Sequence, residues 1–157
     1  MLVRCLYASK AVEPGSQDVL ESILSQSCRN NPALGITGLL CVSSSVFVQV
    51  IEGSRDAVCE LFNSIVRDER NANVRLLLFE EISKRRFENW TMGQVKIEGV
   101  NAALILKYSE SAELDPFSCS GHSIMALLEE LVESGAIATR VPPSLGGPRG
   151  SRGVLSG

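Results

Sequence analysis

Apolar and polar residues alternate from Leu2 to Ala8. Val3, Cys5 and Tyr7 fall on one side and Leu2, Arg4 and Leu6 on the other, the period of two that marks a strand. After Pro14-Gly15 the period lengthens. Val19, Leu20, Ile23, Leu24 and Cys28 recur at helical spacing, with Ser16 as N-cap and Asp18 favourably placed in the first turn. This helix is expected to run to about Arg29 and to end at Asn30-Asn31-Pro32, because a proline disfavours helical geometry in the residue before it. Ile36–Val42 and Val46–Glu52 read as two strands of a hairpin joined by Ser43-Ser44-Ser45. Gly53-Ser54 then opens a second helix. Its stripe of Ala57, Val58, Leu61, Phe62, Ile65 and Val66 is the cleanest in the chain. Asp68 to Asn73 is polar and breaks that pattern. Val74–Phe79, apolar except for Arg75, is expected to be a buried strand. A fifth strand is expected over Trp90–Ile97, after the basic loop Lys84-Arg85-Arg86.

The order is β-α-β-β-α-β-β. Two helices on one face of such a sheet make a ferredoxin-like α+β domain. Two helical segments come next, Val100–Lys107 and Gly121–Glu133. The second carries Ile124, Leu127, Leu128, Leu131 and Val132 as an apolar stripe. From Gly135 onward Pro, Gly, Ser and Arg dominate, and 135–157 is expected to be a disordered tail with too little apolar surface to order itself. The resulting division is 1–97, 98–134 and 135–157.

Composition narrows the class. With 45% hydrophobic and 21% charged residues, the chain of 157 residues should build an ordinary globular core. A net charge of −3 argues against a general nucleic-acid binder, which needs a basic face. No apolar run approaches the roughly 18 residues of a membrane span. The opening MLVRCLYASK has no signal-peptide layout, so a cytoplasmic protein is expected. Five cysteines without a C-x-x-C pair, and a single histidine, make a zinc site hard to assemble. The thiols are read as buried and reduced.

Three polar residues stand in apolar places. Gln49 lies mid-strand on the same face as Phe47 and Ile51, where its amide needs polar company. Tyr7 puts a phenol on the inward face of the first strand. Asn31 follows the first helix, where a simple helix cap would also account for it.

These positions fall within LVRCLYAS, NNPALGITGLL, FVQVIEG, IVRDER and FENWTMG, which together resemble the BLUF family of blue-light sensors using FAD. The resemblance runs from about residue 2 to 97 and would make 1–97 a flavin-binding domain. LKYSESAELDPFS and the closing helix resemble the short, stand-alone cyanobacterial PixD-type members. The resemblance implies that Tyr7 donates an electron to the excited flavin and that Gln49 lies between Tyr7 and the ring. It implies that Asn31, Asp68 and Arg70 are polar contacts of the ring, that Ile23 and Ile65 sandwich it, and that Trp90 and Met92 pass the signal outward. Two departures bear on the cofactor. Asn71 stands where many relatives carry a histidine. Ser64 stands where PixD relatives carry a basic residue, so FMN and riboflavin become alternatives to FAD.

The implied function is a photoreceptor that signals through protein contacts and is not an enzyme, with ring-like homo-oligomers and a response-regulator-like partner. The competing reading is a ferredoxin-like regulatory module that binds a small ligand or partner without light. An acylphosphatase-like enzyme is disfavoured because Ala8–Glu13 is a poor anion-cradling loop, and an RNA binder because Cys41, Gln49 and Leu78 stand where aromatics would be needed.

Overall fold

The computed structural model describes residues 1–13, 32–135 and 137. Strand β1 (Leu2–Ala11) lies second in a five-stranded sheet whose other strands are β2 (Thr37–Ser43), β3 (Val46–Ser54), β4 (Asn71–Ile82) and β5 (Gly93–Lys96). The order across the sheet is β4-β1-β3-β2-β5, the ferredoxin-like arrangement with one added strand. Every pairing is antiparallel except that of β5 with β2. Gly38 is required where β2 approaches β3, since a Cβ there would stand 1.9 Å from the Val50 carbonyl oxygen.

Helix α1 (Arg55–Arg67) starts at the end of β3, where the Ser54 hydroxyl accepts from the Ala57 N–H at 3.2 Å. Asp56 in its first turn and Arg67 in its last complement the helix dipole. Ala57, Val58 and Ile65 pack with Val3, Cys5, Tyr7, Phe47 and Ile51 on one face of the sheet. The expected first helix lies outside the described residues, together with Ile23, Cys28 and Asn31, and so does nearly all of the expected tail.

The other face of the sheet is covered by the two helices C-terminal to β5. Helices α2 (Ala102–Tyr108) and α3 (Gly121–Ser134) lay Ile105, Ile124, Leu127, Leu128 and Leu131 against Leu6, Ala8, Val48 and Val50. These five helix residues are buried within the single chain, each contributing about 1.5–3 kcal/mol by leaving water. The expected apolar stripe is thus satisfied on the face opposite Tyr7. Covered on both sides, β1 and β3 are buried almost throughout. Gly121, the first residue of α3, sits so close to β4 that an added Cβ would lie 2.3 Å from the Leu77 carbonyl oxygen.

Two expectations fail. The run Val74–Phe79 is not a buried strand. It belongs to the longer β4 at the sheet edge, where Leu76 and Phe79 are exposed. A bulge where Leu6 and Tyr7 face Leu78 and Leu76 interrupts its register, and Arg75 within the run is exposed, so its apolar content does not mean cover on both faces. The fifth strand is also shorter than expected, beginning at Gly93 and leaving Trp90 and Met92 in the segment before it. That backbone is held elsewhere. The Trp90 N–H bonds the Phe87 carbonyl at 3.2 Å, and the Trp90 carbonyl accepts from the Gly38 N–H at 3.0 Å. Without a strand's period of two, Trp90 and Met92 do not share a face. Trp90 packs with the α2–α3 core and Met92 with the Tyr7 core.

Candidate functional site

Tyr7 and Gln49 are directly paired across β1 and β3, and alternation turns both side chains towards the α1 face. Each is fully buried, as is Met92. The Tyr7 hydroxyl donates to Gln49 Oε1, and Gln49 Nε2 donates to Met92 Sδ at 3.3 Å. The amide therefore presents its acceptor end to the phenol and its donor end to the thioether. The Tyr7 ring meets Phe62 of α1 edge-on, with centroids 5.6 Å apart. Ile65, one turn further along α1, is buried in the same cluster.

The residues after α1 divide. Asp68 caps the helix, its N–H bonded to the Ile65 carbonyl. Its carboxylate is gripped at both oxygens by Arg70, with Nε–Oδ1 at 2.8 Å and Nη2–Oδ2 at 2.6 Å. These hydrogen bonds from Arg70 hold the Asp68 carboxyl below its ordinary value of 3.8. The pair is part-exposed and bound to itself rather than to Tyr7 or Gln49. Ser64 is exposed and returns its hydroxyl to the Glu60 carbonyl. Asn71, on β4, is buried and donates to the Ile65 carbonyl at 3.5 Å.

Sequence reasoning passed over Ser9. Two positions after Tyr7 on β1, it faces the same side and is fully buried. Its hydroxyl and Asn71 Oδ1 have no hydrogen-bond partner among the described residues. Native interiors rarely leave such atoms unpaired, so both fit a bound group carrying donors and acceptors of its own. A flavin, with ring carbonyls, an imide N–H and ribityl hydroxyls, is such a group. The signal was the one that singled out Gln49: a polar side chain on the inward parity of a buried strand. Glu52 was passed over too. It is fully buried and accepts from Arg4, from the Arg86 N–H at 2.9 Å and from the Phe87 N–H at 2.8 Å.

Burial pushes the thiols of Cys5 and Cys41 up to about 12, so both are inert. Cys59 and Cys119 are only half-buried, which corrects the expectation for them. No group of three or more His, Cys, Asp or Glu suited to a metal occurs among the described residues.

Residues 2–93 match the family described as BLUF, sensors of blue-light using FAD. The chain belongs to the BLUF family. Residues 2–93 are thus a flavin-binding blue-light sensor domain, which sets aside the ferredoxin-like module without light sensing. The photo-activated state of BlsA superposes with a TM-score of 0.71 at 28% identity, covering 90% of this chain and 99% of that one. The dark state of the BLUF protein BlrB gives 0.66 at 31% identity, covering 85% and 96%. The photoactivated adenylate cyclase subunit beta of Euglena longa is 34% identical over 92 residues, which are 58% of this chain and 11% of that protein. The BLUF chain therefore spans about a tenth of that curated relative. No helix among the described residues is long and apolar enough to cross a membrane.

Proposed function

We propose that light is read by the buried chain Tyr7–Gln49–Met92 and leaves the domain through the Met92 segment. The hydrogen bonds joining these three fully buried side chains carry the reading. A bound flavin supplies blue-light absorption and, when excited, an acceptor for one electron. Tyr7 is the donor, and its phenolic proton leaves along its hydrogen bond to Gln49 Oε1. The electron and the proton then come back to Tyr7, and Gln49 is left with its amide turned. With the ends exchanged, Nε2 faces Tyr7 Oη and the unprotonated Oε1 faces Met92 Sδ, which has no hydrogen to offer. Met92 loses the Gln49 donor and the segment before β5 is released to repack. Return of the amide restores the dark arrangement.

Asn31, Ile23 and Ile65 would hold the ring, with Ser9 and Asn71 adding polar contacts. Asp68 and Arg70 would meet it only by loosening their mutual pair. FAD is the flavin in the family's description. Ser64, with its hydroxyl spent on the Glu60 carbonyl, offers no cation to a phosphate, so FMN and riboflavin stay alternatives to FAD. A PixD-type response-regulator-like partner and a ring-like homo-oligomer, which rest on resemblance, and a cytoplasmic location, which rests on the opening of the sequence, complete the reading.

The test is the absorption spectrum. Flavin-loaded wild type should shift to the red in blue light and recover in the dark. Tyr7→Phe and Gln49→Ala should bind flavin and lose the shift. A normal red-shifted state in either variant would overturn the assignment.

A further inference from the structure

Glu52 is a carboxylate with no access to water on the face of the sheet opposite Gln49. Burying such a charge is costly unless it is fully paired. The partners come from two directions. Arg4, directly opposite on β1, contributes Nε and Nη2, each 2.8 Å from Oε2. The segment after β4 contributes main-chain donors: the Arg86 and Phe87 N–H groups reach Oε1 at 2.9 and 2.8 Å. Arg85 adds Nη1 bonds to Thr37 Oγ1 at 2.8 Å and to the Glu52 carbonyl at 3.2 Å. Arg4 has a second carboxylate at 2.8 Å, that of the part-exposed Glu80 on β4.

From this anchor the chain has only a few residues in which to reach Met92. It buries Phe87 and Trp90 on the α2–α3 side and then turns Met92 under Gln49. An N–H bonded to a buried carboxylate is stronger than an ordinary main-chain bond, and two in succession fix the local backbone. We propose that Glu52 is a positioning residue for Met92. It pins residues 86–87 so that the thioether is presented to Gln49 Nε2, and Arg4 keeps its carboxylate aimed. The inference deepens the reading of Tyr7–Gln49–Met92 and rests on it.

The test uses the full chain, and Trp90, its single tryptophan, is a reporter that needs no flavin. Glu52→Ala and the milder Glu52→Gln are compared with Glu80→Gln, which also takes a carboxylate from Arg4 but leaves the Arg86 and Phe87 N–H groups bonded. Acrylamide quenching of Trp90 in flavin-free protein and dark recovery of flavin-loaded protein are measured for each. Both should change by about fivefold in Glu52→Ala, the scale of one lost hydrogen bond, less in Glu52→Gln, and little in Glu80→Gln. Unchanged quenching in both Glu52 variants overturns the proposal, and so does an equal change in Glu80→Gln. If Glu52→Ala does not fold, Glu52→Gln against Glu80→Gln decides. Altered quenching with unaltered recovery supports the hold of Glu52 on the segment while removing Met92 from the photocycle.

Discussion

An amide with unlike ends can switch without moving charge, and Gln49 is placed where both ends are occupied. Ser9 differs in having a hydroxyl in a dry place that finds no partner among the described residues. Ser9→Ala should raise the melting temperature of flavin-free protein, because an unpaired buried hydroxyl costs about 1–3 kcal/mol. It should also weaken flavin binding. Melting curves with and without flavin separate the two effects, and a lower midpoint in both would mean the hydroxyl is satisfied by other means. Asp68 gives a pH expectation. Its folded carboxyl lies below 3.8 because Arg70 donates to it. The contribution to stability is therefore complete above the unfolded value and is lost as pH falls through the folded one. Carbon-detected NMR should place its titration below 3.8, and Arg70→Ala should return it towards that value. Tyr7 and Gln49 are legible in the sequence because alternation alone puts them inside. Ser9 keeps the same parity but lies one residue past the strand read as ending at Ala8, whereas the strand runs on to Ala11. Glu52 is not legible, since its main-chain donors stand 34 and 35 residues later in the chain and no local pattern pairs them.

At the scale of elements, periodicity locates every described α-helix and most strands to within a few residues, including the stripe of α3. It fails where cover, rather than period, decides the outcome. An apolar run reads alike whether its strand is central or at an edge, so β4 lies shallower than its composition suggests. The segment before β5 has residue types that suit a strand, whereas its backbone bonds go to Glu52, Phe87 and Gly38. Having Trp90 and Met92 on opposite faces alters what each should do. Met92→Ala removes the acceptor of Gln49 Nε2 and should change dark recovery. Trp90→Ala should leave recovery near wild type. Flash photolysis compares them, and equal changes in both would show that the faces are not separated functionally. The contact between Gly121 and β4 has its own test. Gly121→Ala should destabilise the protein by about 1–3 kcal/mol, the cost of overpacking, as read from the urea midpoint.

Across the whole molecule, the sheet is a partition with the switch on one side and α2–α3 on the other. The segment from Arg86 to Met92 reaches both. Arg86 also pairs with Glu129 of α3 at 3.3 Å, so repacking of this segment can be felt by the last helix. If output leaves by this route, Met92→Ala and Trp90→Ala should keep the red shift and lose the light-dependent change in assembly or partner binding. Size-exclusion chromatography in dark and light decides, and wild-type behaviour in both variants would place the route elsewhere. The seat of Gly121 on the Leu77 carbonyl has a practical reach beyond stability. A backbone-to-backbone fit of that kind belongs to neither half alone, so α3 cannot be exchanged between sensors as a cassette. A graft of a foreign effector onto this domain must place its junction beyond Ser134, or carry the bulged strand and its helix together as one heritable block.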